Sequence, residues 1–225
     1  MDKVCLVIGA GAGIGGTVGA RFAAGGYHAV LGRRSDAEGL DRLVSDIEAA
    51  GGKATGRLLN VVEPDSIENL IAEVEQDIGP IHTLVFNIGA QVGDRALLET
   101  SLNVFERCWR MATFGLLRAA QAVCPLMADR GEGAVLVTAS TAAKRGNAGQ
   151  HAHASAMAGR RMLCQSLNAE FASRGVHIAH IVVDGAVDAP DTLGKMLGAE
   201  RFAELRATKG AADGLILPEQ LAETY

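Results

Sequence analysis

Two stretches of this chain bring together residue types arranged for ligand chemistry. The first is Gly9-Ala-Gly-Ala-Gly13-Ile-Gly15-Gly16, which follows the apolar run Val4–Ile8 and opens a segment of helical period. Glycines at such a point permit positive-φ turns and let backbone N–H groups approach a pyrophosphate, which the positive end of the next helix favours. A glycine-rich string alone is a weak signal. Its place between a strand and a helix in the first βαβ unit predicts a phosphate cradle at Gly9, Gly11, Gly13, Ile14 and Gly15. The second stretch is Leu31-Gly-Arg33-Arg34, at the end of the second strand. In dinucleotide-binding folds an acid there takes the adenosine ribose 2′-hydroxyl, whereas an Arg accommodates a 2′-phosphate. Two arginines and no acid predict NADP(H) over NAD(H), with one of the pair serving only as a solvated charge at a helix start.

Other candidates are weaker. His151 and His153 lie two apart, a spacing that diverges on a helix, and no acid or thiol stands at ligand spacing, so no metal site is expected. Asp184, Asp188 and Asp191 bracket a loop. Most loop acids are solvated, but Asp184 ends a strand where ligands bind and is kept as a site candidate.

The elements that must position these residues alternate regularly. Strands are expected at Val4–Ile8, His28–Leu31, Ala54–Leu59, Thr83–Asn87, Ala134–Thr138 and His177–Val183, and helices at Ile14–Ala24, Asp36–Ala50, Pro64–Ile78, Leu102–Arg130 and Ala152–Arg174, with a further short stretch near Ala199–Ala207. Repeated βα units imply an α/β class, a doubly wound parallel sheet in a three-layer Rossmann-type arrangement, with ligands beyond the carboxyl ends of the strands. The 225 residues, 48% of them hydrophobic, suit a single domain spanning 1–225.

The formal charge of −5, with no Lys/Arg run, argues against nucleic acid or an anionic membrane and leaves a small molecule as the expected ligand. Cys5, Cys108, Cys124 and Cys164 lack Cys-x-x-Cys spacing and sit in apolar runs, as reduced core thiols of a cytoplasmic protein do. No signal-peptide pattern opens the chain, and no apolar stretch is expected to reach the roughly 18 residues of a membrane span.

With Gly9, Gly13 and Gly15 placed, the chain resembles the short-chain dehydrogenase/reductase family, whose first turn reads Gly-x-x-x-Gly-x-Gly. Asn60-Val61 stands in the place of that family's Asp-Val beside the adenine, and Asn87-Ile-Gly89-Ala90 resembles its Asn-Asn-Ala-Gly segment. Ser140 matches the catalytic Ser. Asp184-Gly185-Ala-Val187 stands where the family has Pro-Gly before a Thr that touches the nicotinamide amide. The resemblance implies cofactor contacts at these positions and dimer or tetramer contacts through the helices of 102–130 and 152–174.

The departures fall on the catalytic positions. The family's Tyr, about thirteen residues after the Ser, is His153; its Lys is Met157; its Asn is Ala112. This places the chain nearest a divergent subset that lacks the Tyr-x-x-x-Lys pair. In the family's mechanism Tyr moves the alcohol proton, Ser polarises the carbonyl, and Lys lowers the Tyr pKa and holds the nicotinamide ribose. Losing a positioned acid typically costs about 10²–10⁴ in rate. Met157 supplies neither charge nor donor, but His153 is a competent acid/base near neutral pH. The leading expectation is an oxidoreductase of an alcohol or carbonyl with Ser140 and His153 as catalytic groups. A non-catalytic dinucleotide-binding regulatory or assembly protein, and a lyase or isomerase using His153 without net redox, stand as alternatives.

The family adds a substrate lid and a seventh strand after the sixth. Here 188–217 is expected as a short lid and the last strand is missing, so either the natural chain continues past Tyr225 or His177–Val183 is an unprotected sheet edge.

Overall fold

The structure, a computed structural model, describes residues 3–210 and 214–225. Of the segment expected as a lid, residues 211–213 lie outside the described residues. Strand β1 (Val4–Ile8) is buried at all five positions, so its uniformly apolar run reflects coverage on both faces. Helix α1 (Ile14–Ala24) follows, then β2 (His28–Arg33), α2 (Ala37–Ala49) and β3 (Lys53–Leu58). Helix α3 (Ser66–Glu73) widens into a π turn at Val74–Ile78 before β4 (Ile81–Phe86). Helices α4 (Leu102–Trp109) and α5 (Gly115–Arg130) are joined by a π turn at Arg110–Phe114. Strand β5 (Gly133–Ser140), helix α6 (His151–Phe171) and strand β6 (Val176–Val183) complete the series.

The six strands form one parallel sheet in the order β3-β2-β1-β4-β5-β6. Strand order reverses between β1 and β4, and the crevice at that reversal is where an open α/β sheet takes its ligand. Apolar side chains of α3, α5 and α6 pack one face of the sheet, and those of α1 and α2 pack the other. Arg118 of α5 clamps the loop after β3, donating to both carboxylate oxygens of Glu68 (2.8 and 2.5 Å) and to the Val61 carbonyl (2.8 Å). All four cysteines are buried free thiols.

Past β6 the chain forms β7 (Ala186–Val187), a π turn at Pro190–Gly194, α7 (Lys195–Leu197), α8 (Ala199–Leu205), β8 (Leu215–Ile216) and α9 (Pro218–Ala222). β7 and β8 make a separate parallel ribbon. Among the described residues β6 is an edge strand of the main sheet, with no seventh strand beside it. Helix α9 is tied to α1 by Arg21 and Glu223 at 2.7 Å, and Tyr225 packs on the α1 side of the sheet.

The continuous helical segment Leu102–Arg130 corrects the expectation that no stretch is long and apolar enough to cross a membrane: by length and composition it is. Half of its apolar window is buried inside the fold, because this helix fills the layer against β4 and β5.

Candidate active site

The ends of β1, β4 and β5 open on a groove of two connected lobes, about 600 and 520 Å³ in volume, which share Gly9, Gly11, Asn87, Gly89 and Thr192. The floor between them is the glycine turn. Gly9 has φ +102°, and a Cβ there would lie 2.8 Å from the Asn87 carbonyl oxygen. A Cβ on Gly15 would collide with the Gly9 carbonyl. Asn87 in turn donates from Nδ2 to that carbonyl at 3.0 Å, locking the end of β4 to the turn. Backbone therefore stands where side chains would otherwise block a diphosphate. The first turn of α1 carries no acid, leaving its positive end free to meet an anion.

The smaller lobe is lined by Arg33, Arg34, Asn60 and Val61. Arg34 is exposed. Arg33 is not free: its Nη2 donates to Asp36 Oδ2 at 2.7 Å, while the other Asp36 oxygen accepts the Gly39 N–H at 3.0 Å and caps α2. The sequence reading of two arginines without an acid overlooked this carboxylate three residues on. That backbone N–H, helped by the charges of Arg33, Arg42 and Lys195, holds the Asp36 carboxyl below its ordinary pKa. Asn60 accepts weakly from Val62 N and donates to Glu63 Oε1 at 2.9 Å. Arg107 of α4 also lines this lobe, a residue the sequence gave no reason to single out.

The larger lobe holds Gly13, Ile14, Gly15, Ser140, His153, Gly185 and Val187 of the sequence candidates. Asp184 is exposed and lines neither lobe, because its side chain leaves the end of β6 toward solvent. Ser140 closes β5 and His153 lies in the first turn of α6, and their Oγ and Nε2 atoms are 3.1 Å apart, with either able to donate according to the histidine tautomer. His153 Nδ1 is buried without a hydrogen-bond partner among the described residues. Burial lowers the His153 pKa; the Ala90 carbonyl opposes this, the Arg160 charge adds to it, and Asp94 opposes it again. Met157, 2% exposed, and Ala112, fully buried, belong to one small apolar cluster with Ala90, Ala139, Ala142, Ala143 and Ala156. Positions 112 and 157 are thus apolar and packed.

One turn beyond Met157 stands Arg160, fully within the fold and lining the same lobe. Its signal in the sequence was a charge seven residues from His153, on the same helix face, in a stretch otherwise turned to the core. Thr192, in the π turn after β7, lines both lobes and would meet any side chain on Gly13 at 3.3 Å.

A family model described as short chain dehydrogenase matches residues 3–195. This chain belongs to the short-chain dehydrogenase/reductase family. It is 30% identical over 190 residues to the 3-oxoacyl-[acyl-carrier-protein] reductase FabG of Thermotoga maritima, covering 84% of this chain and 76% of that protein. It is 31% identical over 227 residues to the short-chain reductase protein NovJ of Streptomyces niveus, covering 99% of this chain and 85% of that protein. A crystal structure of a short-chain dehydrogenase from Rhodopseudomonas palustris superposes with a TM-score of 0.77 at 32% identity, over 91% of this chain and 92% of that one.

As a short-chain dehydrogenase/reductase, the protein is an NAD(P)-dependent oxidoreductase. The groove fits that cofactor: a backbone-lined turn at an acid-free helix start, a smaller lobe with arginines, and a larger lobe ending at Ser140 and His153.

Proposed function

We propose that this short-chain dehydrogenase/reductase interconverts an alcohol and a carbonyl with NADP(H), using Ser140 and His153 in place of the family's Ser and Tyr. The observation carrying this reading is the 3.1 Å contact between Ser140 Oγ and His153 Nε2 at the deep end of the groove. The smaller lobe, with Arg33, Arg34 and Asn60, would hold the adenosine end, and the glycine turn at Gly9, Gly11, Gly13, Ile14 and Gly15 the pyrophosphate. Asn87, Gly89, Gly185 and Val187 would border the nicotinamide end. A bound nicotinamide supplies or accepts the hydride.

The chain's own groups handle the oxygen and its proton. Ser140 Oγ donates to the substrate oxygen and fixes it. In the oxidative direction neutral His153 takes the hydroxyl proton at Nε2 as the C–O bond becomes a carbonyl; in the reductive direction protonated His153 returns it. NADP(H) preference rests on the two arginines, tempered by Asp36, which competes for Arg33.

A second reading, a dinucleotide binder without catalysis, is favoured by the Met157–Ala112 cluster, which leaves no Lys or Asn side chain to grip the ribose. Calorimetric titration with NADPH and NADH, followed by a carbonyl screen read at the cofactor's absorbance, separates the two. Binding with turnover of some carbonyl supports the enzyme; binding with no turnover across the screen supports the scaffold. No binding of either nucleotide rules out both.

The segment 188–217 would act as the substrate lid of a single 1–225 domain, its support being Thr192 at the mouth of both lobes. Dimer or tetramer contacts through the 102–130 and 152–174 helices are supported by exposed Phe105, Trp109, Phe114 and Met162 on those helices. A cytoplasmic location is supported by the four buried free thiols.

A further inference from the structure

Among the described residues whose side chains line the larger lobe, His153 and Arg160 are the ionisable ones. Among the described residues that lobe therefore holds a cation and no carboxylate. Arg160 is 1% exposed. Its Nε donates to the Ala112 carbonyl at 3.3 Å, Nη1 to the Thr138 carbonyl at 2.6 Å, and Nη2 to the Ile88 carbonyl at 2.6 Å. The three acceptors come from the π turn between α4 and α5, from β5, and from the residue two beyond β4. The guanidinium also lies over the Phe86 ring, 5.2 Å from its centroid.

This arrangement fixes the plane of the guanidinium without cancelling its charge. Neutral carbonyls satisfy N–H donors, but only a carboxylate neutralises the cation, and none pairs with Arg160 among the described residues. Burying an uncompensated charge costs several kcal/mol in general, and an apolar side chain of similar volume usually fills such a place at no loss. The position gives the charge a use: at i+7 on α6, two turns on from His153, it lies on the same helix face and lines the same lobe as the proton-handling pair.

We infer that Arg160 is the positioning residue of this active site, a fixed buried cation in the lobe of Ser140 and His153 that favours the negatively charged oxygen developing on the substrate during hydride exchange and, together with burial, disfavours a second positive charge on His153. The inference rests on the reading of Ser140 and His153 as the proton-handling pair. With His153 neutral, the resting enzyme is poised to accept the proton of an alcohol. In oxidation the cation favours the alkoxide left after His153 takes the proton and before the carbon loses its hydride; in reduction it favours the same oxygen until protonated His153 gives it a proton.

The charged surroundings are few. His153 faces Arg160 from its own helix and Asp94 from the segment after β4. Arg160 faces Cys164 on α6, Tyr225 after α9, and His180 on β6. Arg161 and Lys144 also act on His180. Burial draws the Arg160 pKa down to about 10, so it stays charged throughout the neutral range.

The test is a proton NMR titration of the His153 ring in the full chain, with His153→Phe used to assign the signal. Wild type is compared with Arg160→Met and Arg160→Gln, which remove the charge, and with Arg160→Lys, which keeps it. The expected result is a wild-type midpoint below 6.5, an upward move of roughly half a pH unit or more in the two neutral variants, and a wild-type-like value in Arg160→Lys. Should the folded neutral variants titrate like wild type, Arg160 is only a staple between β4, β5 and α6 and the inference is overturned. If neither neutral variant folds, Arg160→Ala titrated with and without added guanidinium decides: a midpoint above the wild-type value that guanidinium brings back down supports the inference, and a wild-type-like midpoint or one that guanidinium does not move overturns it. The titration needs neither substrate nor cofactor, so its failure is distinguishable from failure of the proposed redox activity, which turnover by His153→Phe reports separately.

Discussion

Ser140 and His153 meet at 3.1 Å from different elements, the last residue of β5 and the first turn of α6, at the inner end of a groove floored by glycine backbone. A hydroxyl and an imidazole so placed can share one proton with a third oxygen. Replacing His153 by Phe is expected to lower turnover of an identified substrate by about 10²–10⁴ while leaving NADPH affinity within about threefold. Steady-state kinetics with parallel calorimetry check both, and unchanged turnover would sink the role given to His153.

The same imidazole sets a pH dependence. Burial holds His153 below its ordinary value of 6.5. The neutral form, needed to accept a proton, prevails above that lowered value, so alcohol oxidation should rise with pH through a midpoint below 6.5 and then level off. Carbonyl reduction, which needs the protonated form, should fall through the same window. Rate profiles in the two directions give the check; with chemistry rate-limiting, an oxidation rate that rises through a midpoint above 6.5 contradicts the assignment.

Much of this site was legible in the sequence because the glycine turn and the strand that feeds it are local. Gly9 to Gly15 needed only their order between β1 and α1, and the six strand runs fall within two residues of the observed elements. Arg160 was not legible in this way. The helix period puts it on the helix face of His153, but that this face meets the groove rather than the core depends on how β4, β5 and the 110–114 turn close around it. Asp36 escaped for a different reason: a left-handed backbone, φ 68°, at the start of α2 folds its carboxylate back onto Arg33, and nothing in the order Arg-Arg-Ser-Asp announces that turn. Asp184 lies outside both lobes, since position at a strand end does not fix which way a side chain leaves it.

Cofactor choice turns on the Arg33–Asp36 pair. A 2′-phosphate must draw Arg33 away from a carboxylate at 2.7 Å, while Arg34 is already exposed beside it. Asp36→Asn keeps an oxygen to cap α2 but removes the competing charge, and NADPH affinity should rise several-fold with NADH little changed. Arg33→Ala or Arg34→Ala should weaken NADPH by about tenfold or more, since a charge-assisted hydrogen bond is worth about 1.5–3 kcal/mol. Calorimetric titrations of the three variants decide it, and equal responses of NADPH and NADH would remove the 2′-phosphate from the account.

The Arg118–Glu68 clamp gives a stability prediction. The Arg118 hydrogen bonds hold the Glu68 carboxyl below its usual range. A depressed carboxylate stabilises the fold above its unfolded pKa of about 4.3, and that contribution is lost as pH falls through the lower folded value. Because Glu68 is 39% exposed, screening keeps the contribution of Glu68→Gln near 0.5–1 kcal/mol, a rough figure for a partly solvated pair. Urea midpoints should differ between wild type and Glu68→Gln at pH 7 and converge toward pH 3; a gap that persists at pH 3 would assign the effect to packing instead.

Tyr225 supplies the converse case. Its hydroxyl is 2.5 Å from Thr138 Oγ1, on the strand that carries Ser140, and burial pushes its pKa up to about 12. A phenol whose folded pKa exceeds the unfolded value of about 10 stabilises the protein fully below pH 10 and loses that contribution as pH rises toward 12. Tyr225→Phe removes both the hydrogen bond and the titration. At pH 7 it should cost about 1 kcal/mol, the usual net worth of such a bond, because Thr138 is left without its partner. Between pH 10 and 12 wild type should lose stability faster than Tyr225→Phe, narrowing the gap. Since Thr138 also lines the larger lobe, NADPH titration of the variant belongs beside the urea curves. A stability loss with unchanged nucleotide affinity makes the Tyr225 contact a brace behind β5. Weakened nucleotide binding would mean that Thr138 needs Tyr225 to hold the rotamer facing the groove.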